Sequence, residues 1–136
     1  MNTETRKAID TFLSGSRFAV VGASPDRRKF GNKVLRAYLQ SGRNAVPVNP
    51  KGGLIEGRAS VPDLASLPEP VDGVSIVTPP AVTEKVVEQA AKAGITRLWM
   101  QPGAQSDAAI ERAEALGITL IHSGPCALVE LGFRDE

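Results

Sequence analysis

The chain has 136 residues, a hydrophobic content of 42%, and 16 basic against 15 acidic residues. This length suits one domain with its own core, and the balanced charge excludes a protein that needs a large basic excess to bind nucleic acid or a membrane surface. The single cysteine excludes an internal disulfide, and the sequence shows neither a signal-like leader nor a membrane-spanning apolar run. These features predict a cytoplasmic protein.

Apolar residues recur at helical spacing in segments that end on glycine, and short β-rich runs separate these segments. In chain order the pattern predicts a helix over 3–13, a strand over 18–21, a helix over 31–41, a strand over 45–48, a helical turn over 61–67, a strand over 73–77, a helix over 80–93, a strand over 96–100, a helix over 106–116 with Ser106 as N-cap, a strand over 118–121 and a last helical turn after Cys126.

Strands that alternate with helices in this way form βαβ crossovers and a parallel sheet covered on both faces. We predict an α/β, Rossmann-like, doubly wound sheet of five parallel strands in the order 3-2-1-4-5. Residues 1–136 form one domain in this prediction, and the helix within residues 1–15 packs on it. Ligands of such sheets lie beyond the carboxyl ends of the strands.

The loop after the first strand, GASPDRRKFGN, combines small and basic residues. A dinucleotide fingerprint would require glycines at 22, 24 and 27, whereas this loop has Ser24 and Arg27 at the last two positions. Small residues followed by a helix start are typical of a phosphate site, although packing alone can also require them. The predicted contact residues are Gly22, Ala23, Ser24, Arg27, Arg28, Lys29, Gly31 and Asn32.

The second strand is followed by Asn49, Pro50 and Lys51, and no carboxylate occurs until Glu56. An NAD site usually places an acidic residue here to accept hydrogen bonds from the ribose hydroxyls. A neutral amide and a lysine instead favour a ligand with a phosphate on its ribose, such as NADP or coenzyme A (CoA). A simple Asn-Pro turn is the alternative interpretation.

The next two strands end in loops that suit the remainder of such a ligand. Thr78 and Pro79 begin a rigid, apolar wall against which an adenine or a pantetheine arm could lie. Gln101 offers a donor and an acceptor, and Gly103 allows close approach of the backbone.

No catalytic set is evident in the sequence. His122 is the only histidine and Cys126 the only cysteine, and neither has a neighbour at the spacing of a nucleophile pair or a metal site. We expect His122 to be structural, Cys126 to be a small buried hydrophobe and Trp99 to lie in the core.

Six motifs in the same order resemble the small stand-alone CoA-binding proteins, whose Rossmann-like domain is shared with the N-terminal part of the succinyl-CoA synthetase α subunit. They are AVVGAS (19–24), GNK (31–33), PVNPK (47–51), VDGVSIVTPP (71–80), LWMQPG (98–103) and Cys126. The resemblance implies that the first loop contacts the CoA phosphates and that Asn49, Pro50 and Lys51 flank the 3′-phosphoadenosine. Thr78, Pro79 and the segment 101–103 would line the rest of the ligand.

The resemblance implies a protein that binds CoA or an acyl-CoA without catalytic machinery of its own. Alternatives are an NADP-binding or acyl-CoA-using enzyme, and a regulatory subunit of a larger acyl-CoA enzyme. A homo-oligomer or a partner enzyme fits each of these, whereas nucleic acid and membranes are not expected partners. Because Cys126 follows the fifth strand, a mixed disulfide with CoA under oxidation is a further hypothesis.

Overall fold

The computed structural model describes residues 2–136. The helices are α1 (Thr3–Leu13), α2 (Phe30–Gln40), α3 (Pro80–Lys92), α4 (Asp107–Ala115) and α5 (Ala127–Glu130), with a 3-10 turn over Leu64–Ser66. The strands are β1 (Arg17–Val21), β2 (Asn44–Val48), β3 (Leu54–Ile55), β4 (Arg58–Ala59), β5 (Gly73–Ile76), β6 (Arg97–Met100) and β7 (Thr119–Ile121). As predicted, Ser106 caps α4, because its Oγ accepts a hydrogen bond from the Ala109 amide.

The main sheet has the strand order β2-β1-β5-β6-β7, and every pair in it is parallel. This confirms the doubly wound, five-stranded parallel sheet. The predicted order 3-2-1-4-5 is wrong: numbered as the five predicted strands, the observed order is 2-1-3-4-5. The winding therefore reverses between β1 and β5, which are direct neighbours.

The segment between β2 and β5 connects two strands that lie on opposite sides of β1. It contains the small antiparallel hairpin of β3 and β4 and one 3-10 turn, and it leads the chain from β2 across β1 to β5. The start of β5 is then fixed beside the start of β1, since the Asp72 carboxylate accepts hydrogen bonds from the amides of Ser16 and Arg17. These hydrogen bonds lower the pKa of Asp72.

Two clusters of buried apolar side chains cover the two faces of the sheet. On one face α1, α2 and α5 pack around Phe18, Tyr38 and Trp99, all of which are fully buried. On the other face α3, α4 and the 3-10 turn pack against alternate residues of the same strands. The core position predicted for Trp99 is confirmed, and its indole Nε1 donates to the Pro125 carbonyl at 3.0 Å. Among residues 2–136, no helix has the length and apolar content needed to cross a bilayer.

Candidate functional site

A cleft of about 690 Å³ opens at the carboxyl ends of β1, β2 and β5, where the winding reverses. The loops that follow these three strands form its walls, together with the first turn of α2. A shallower depression of about 240 Å³ shares Val77, Thr78 and Pro79 with the cleft and continues to the loop after β6. Together the two surfaces adjoin the carboxyl ends of β1, β2, β5 and β6, where ligands of doubly wound sheets bind.

Two glycines allow the loops around the cleft to pack against each other. Gly22 has φ +93°, and a Cβ at this residue would lie 2.1 Å from the Val77 carbonyl oxygen. A Cβ on Gly31 would lie 1.9 Å from the Gly22 carbonyl oxygen. Since no side chain fits at either position, these contacts require glycine and hold β1, α2 and the end of β5 together.

Backbone amides are available on the wall formed by β1 and α2. The N-cap residue of α2, Lys29, provides no side-chain cap. Four residues that line the cleft have backbone N–H groups with no hydrogen-bond acceptor within residues 2–136: Ala23, Ser24, Phe30 and Gly31. Unpaired amides at the start of a helix favour an anion, both as donors and through the helix dipole.

The basic residues of the first loop have different partners. Arg28 pairs with Asp26 at 3.0 Å, and hydrogen bonds from Arg28 lower the pKa of Asp26 to about 2. Arg27 lies 3.5 Å from Glu56 and donates to the main-chain oxygen of Glu136 at 2.9 Å. Lys29 and Lys51 both line the cleft, and neither forms an ion pair with any residue in 2–136. The cations free to meet an anionic ligand are therefore the two lysines.

Two polar side chains hold the loops in place. The Asn49 side chain donates through Nδ2 to the Ala23 carbonyl at 2.9 Å, and its Oδ1 accepts from the Lys51 amide at 2.8 Å. Asn49 thereby joins the loop after β2 to the loop after β1. The hydroxyl oxygens of Thr78 and Thr83 lie 2.7 Å apart, which fixes the loop after β5 to α3.

The structure brings most of the predicted contact residues together. Ten of the fifteen line the cleft: Gly22, Ala23, Ser24, Lys29, Gly31, Asn49, Pro50, Lys51, Thr78 and Pro79. Gly103 lines the adjoining depression. Arg27, Arg28, Asn32 and Gln101 line neither surface. Four residues on the cleft wall were not predicted: Pro25, Asp26, Phe30 and Val77. The first three lie within the loop after β1, and Val77 directly follows β5.

Gln101 has a structural position. It is fully buried, its Oε1 accepts from the Ala127 amide at 2.8 Å, and its Nε2 lies 3.4 Å from the Ser75 hydroxyl. That hydroxyl also lies 2.6 Å from the Tyr38 phenol, whose pKa burial raises. The four groups form a polar chain inside the core that joins α2, β5, β6 and the start of α5.

His122 and Cys126 lie apart from the cleft. Both line a depression of about 440 Å³ beyond β7, which has no lining residue in common with the cleft. The His122 Nδ1 is 2.6 Å from the Ser123 hydroxyl. Cys126 was expected to be buried, whereas the structure shows it half-buried. The mixed disulfide with CoA stays a prediction.

Fold and cleft together define the class of protein as an α/β, Rossmann-like domain, with unpaired amides and two unpaired lysines around a partly apolar cleft at its switch point. A family model described as a CoA binding domain matches residues 16–132. The chain belongs to this family of CoA-binding domains.

The chain is similar to proteins of two kinds. It is 30% identical over 120 residues to an ADP-forming acetate–CoA ligase I from Archaeoglobus fulgidus, a match that covers 81% of this chain and 17% of the ligase. A structure of a conserved hypothetical protein from Pyrococcus furiosus has a TM-score of 0.80 and 37% identity, over 85% of this chain and 98% of that one.

One further structure is from a larger enzyme. It is a dinucleotide-forming acetyl-coenzyme A synthetase 1 from Ca. Korarchaeum cryptofilum, in complex with phosphate and ADP, with a TM-score of 0.71 and 27% identity. The match covers 79% of this chain and 25% of the synthetase. The chain thus spans nearly all of a small relative and a fraction of each large enzyme.

Proposed function

We propose that this chain binds CoA or an acyl-CoA in the cleft at the ends of β1, β2 and β5, and that it has no catalytic machinery of its own. The observation that carries the proposal is the pairing of free backbone amides with two unpaired lysines, Lys29 and Lys51, in a chain of the CoA-binding domain family. The family match supports CoA as the ligand and gives no support to NADP. A cytoplasmic location and a relation to succinyl-CoA synthetase belong to the same proposal.

In this proposal the amides of the first loop and the start of α2 bind the pyrophosphate, with Lys29 beside them. Lys51, on the loop after β2, meets the 3′-phosphate of the ribose. The apolar wall at Thr78 and Pro79 takes the pantetheine arm toward Gly103. The free amides favour phosphate oxygens at this end because each would gain a charge-assisted hydrogen bond.

Isothermal titration of desalted protein with CoA, dephospho-CoA and NADP tests the ligand and the two lysines. Lys51→Ala is expected to weaken CoA binding about tenfold, the scale of one partly exposed charge-assisted contact. It should leave the binding of dephospho-CoA unchanged, because that ligand lacks the 3′-phosphate. Lys29→Ala should weaken both ligands by similar factors, since both retain the pyrophosphate.

The matched control is Lys85→Ala, which removes an exposed lysine from α3 outside the cleft. Absence of heat with CoA would contradict the proposed function. Equal losses for CoA and dephospho-CoA in Lys51→Ala would remove Lys51 from the 3′-phosphate and leave the site itself in place.

A second candidate function is that of the CoA-binding unit of a larger acyl-CoA enzyme, which the match to a section of the acetate–CoA ligase favours. The chain alone is then expected to form no ADP from ATP, acetate and CoA, because neither histidine nor cysteine lines the cleft and its one carboxylate, Asp26, is paired with Arg28. A coupled assay of ADP release measures this. Turnover above the rate without protein would contradict the absence of catalytic machinery and favour an enzyme.

A further inference from the structure

Arg36 is a buried cation that lines none of the cavities at the cleft. It lies on α2, and its side chain is only 4% exposed. All three guanidinium nitrogens donate hydrogen bonds, and the guanidinium carbon lies 5.0 Å from the centre of the Phe133 ring. A buried charge is tolerated only when it is paired and hydrogen-bonded. The position of the Arg36 guanidinium therefore depends on these partners.

Arg36 is connected to the loop that forms the cleft wall. Its Nε donates to Asn32 Oδ1 at 2.7 Å, and the Asn32 Nδ2 donates to the Ser24 carbonyl at 2.8 Å. A second guanidinium nitrogen donates to the Arg27 carbonyl at 2.9 Å. The carbonyl oxygens of Ser24 and Arg27 are thereby held by side chains of α2. The loop after β1 is thus fixed at Ser24 and at Arg27. In this position its unpaired amides lie on the cleft wall.

The same guanidinium is connected to the C-terminal segment, residues 133–136. Its third nitrogen donates to the Asp135 carboxylate at 2.9 Å, and Lys33 lies 3.7 Å from that carboxylate. Two hydrogen bonds between Gln40 and the main chain of Arg134 add to the docking of the segment on α2. Asp135 is the one carboxylate within residues 2–136 that pairs with Arg36.

We propose that Arg36 is a positioning residue for the anion site, and that docking of residues 133–136 and binding of CoA are coupled through it. Without Asp135 the guanidinium would be a buried charge lacking its counter-ion, so it would move toward solvent and release Asn32 and the Arg27 carbonyl. The loop would then lose the shape that presents its amides. Because coupling between two sites is reciprocal, CoA must in turn stabilise the docked segment. This inference depends on the proposed function.

The binding test compares two variants that remove one negative charge from the same segment. Asp135→Asn loses the ion pair with Arg36, whereas the Glu136 side chain pairs with Arg134 and touches Arg36 only through its main-chain oxygen. Removal of a negative charge from the protein should by itself favour an anionic ligand such as CoA. We expect Asp135→Asn to weaken CoA binding about fivefold and Glu136→Gln to leave it unchanged or slightly stronger.

Hydrogen exchange provides the reciprocal measurement. Saturating CoA is expected to slow exchange at the amides of Phe133 and Arg134, which donate to Leu128 and Gln40 in the docked segment. This effect of CoA should disappear in Arg36→Met, even where that variant retains weak binding. If Arg36 only stabilised the fold, Arg36→Met would lower stability equally with and without CoA. CoA would then still slow exchange in residues 133–136 of that variant.

The outcomes separate this inference from the proposed function. If the unmodified protein binds CoA, two results would overturn the coupling. One is unchanged or tighter CoA binding by Asp135→Asn. The other is an exchange rate in residues 133–136 of the unmodified protein that CoA does not change. If the unmodified protein does not bind CoA, the proposed function itself has failed. Asp135→Asn alters an exposed carboxylate, so the test does not depend on whether Arg36→Met folds.

Discussion

Replacement of Gly31 by alanine is expected to cost about 3 kcal/mol of folding stability and to abolish measurable CoA binding. Gly31 lies inside α2 with an ordinary helical φ, so backbone conformation is not the reason. Elsewhere in a helix this change would stabilise by about 0.5–1 kcal/mol. Here the new methyl group would lie 1.9 Å from the Gly22 carbonyl oxygen. This is a backbone atom, so no side-chain rotation can relieve the clash. Overpacking reverses the sign of the effect.

Chemical denaturation and CoA titration measure the two effects of Gly31→Ala. The added methyl group must push α2 away from the loop after β1, and that movement opens the wall that carries the free amides. Gly42→Ala is the control, since it follows α2 and a Cβ there meets no atom within 4 Å, although its φ of +80° carries a backbone cost. That control should lose some stability and retain CoA binding. A Gly31→Ala protein with normal stability and affinity would contradict the close packing of Gly31 on Gly22.

Replacement of Gln101 by methionine is expected to cost about 2–4 kcal/mol of stability without changing the affinity for CoA. The substitution keeps the approximate size of the side chain. It removes Oε1, which accepts from the Ala127 amide, and Nε2, which donates to the Ser75 hydroxyl. Each buried polar group left without a partner costs about 1–3 kcal/mol. The start of α5 should therefore loosen, while the cleft wall stays in place.

The matched control for Gln101→Met is Gln105→Met, which makes the same chemical change four residues later. The Gln105 Oε1 is buried and has no hydrogen-bond partner in the described chain, so its removal should be neutral or slightly stabilising. Thermal unfolding and CoA titration of both variants give the comparison. A tenfold loss of CoA affinity in Gln101→Met at unchanged stability would restore Gln101 as a ligand contact and contradict the buried polar chain.

Local pattern was sufficient to predict most of the fold. The helix over 3–13 has the observed bounds, and the remaining main helices and strands lie within a few residues of their predicted positions. The hairpin of β3 and β4 was not predicted, because each of its strands has two residues and shows no periodicity. The strand order was wrong for a related reason: both orders give the same alternation of strands and helices, and only the tertiary contacts of β5 with β1 decide between them.

The residues that line the candidate site could be predicted where the backbone or a position at a strand end places them there. Gly22, Lys51 and Thr78 are examples. The orientation of charged side chains could not be predicted, because it depends on partners that are distant in sequence. Arg27 meets Glu56, and Asn32 meets Glu56 and Arg36, which itself pairs with Asp135. Nothing near position 32 or 101 in the sequence indicates that these side chains are buried.

The contacts of Gly22 and Gly31 have a consequence for the entropy of binding. The loop between them is anchored at both ends, because Gly22 packs on the main chain of Val77 after β5 and Gly31 packs on the main chain of Gly22. Asn49 joins this loop to the loop after β2. A segment held in this way has few conformations left to lose when a ligand arrives. Affinity then needs fewer contacts to offset ordering, and free and bound backbones should differ by less than about 1 Å. We therefore expect the packing of the two glycines to pre-form the proposed anion site.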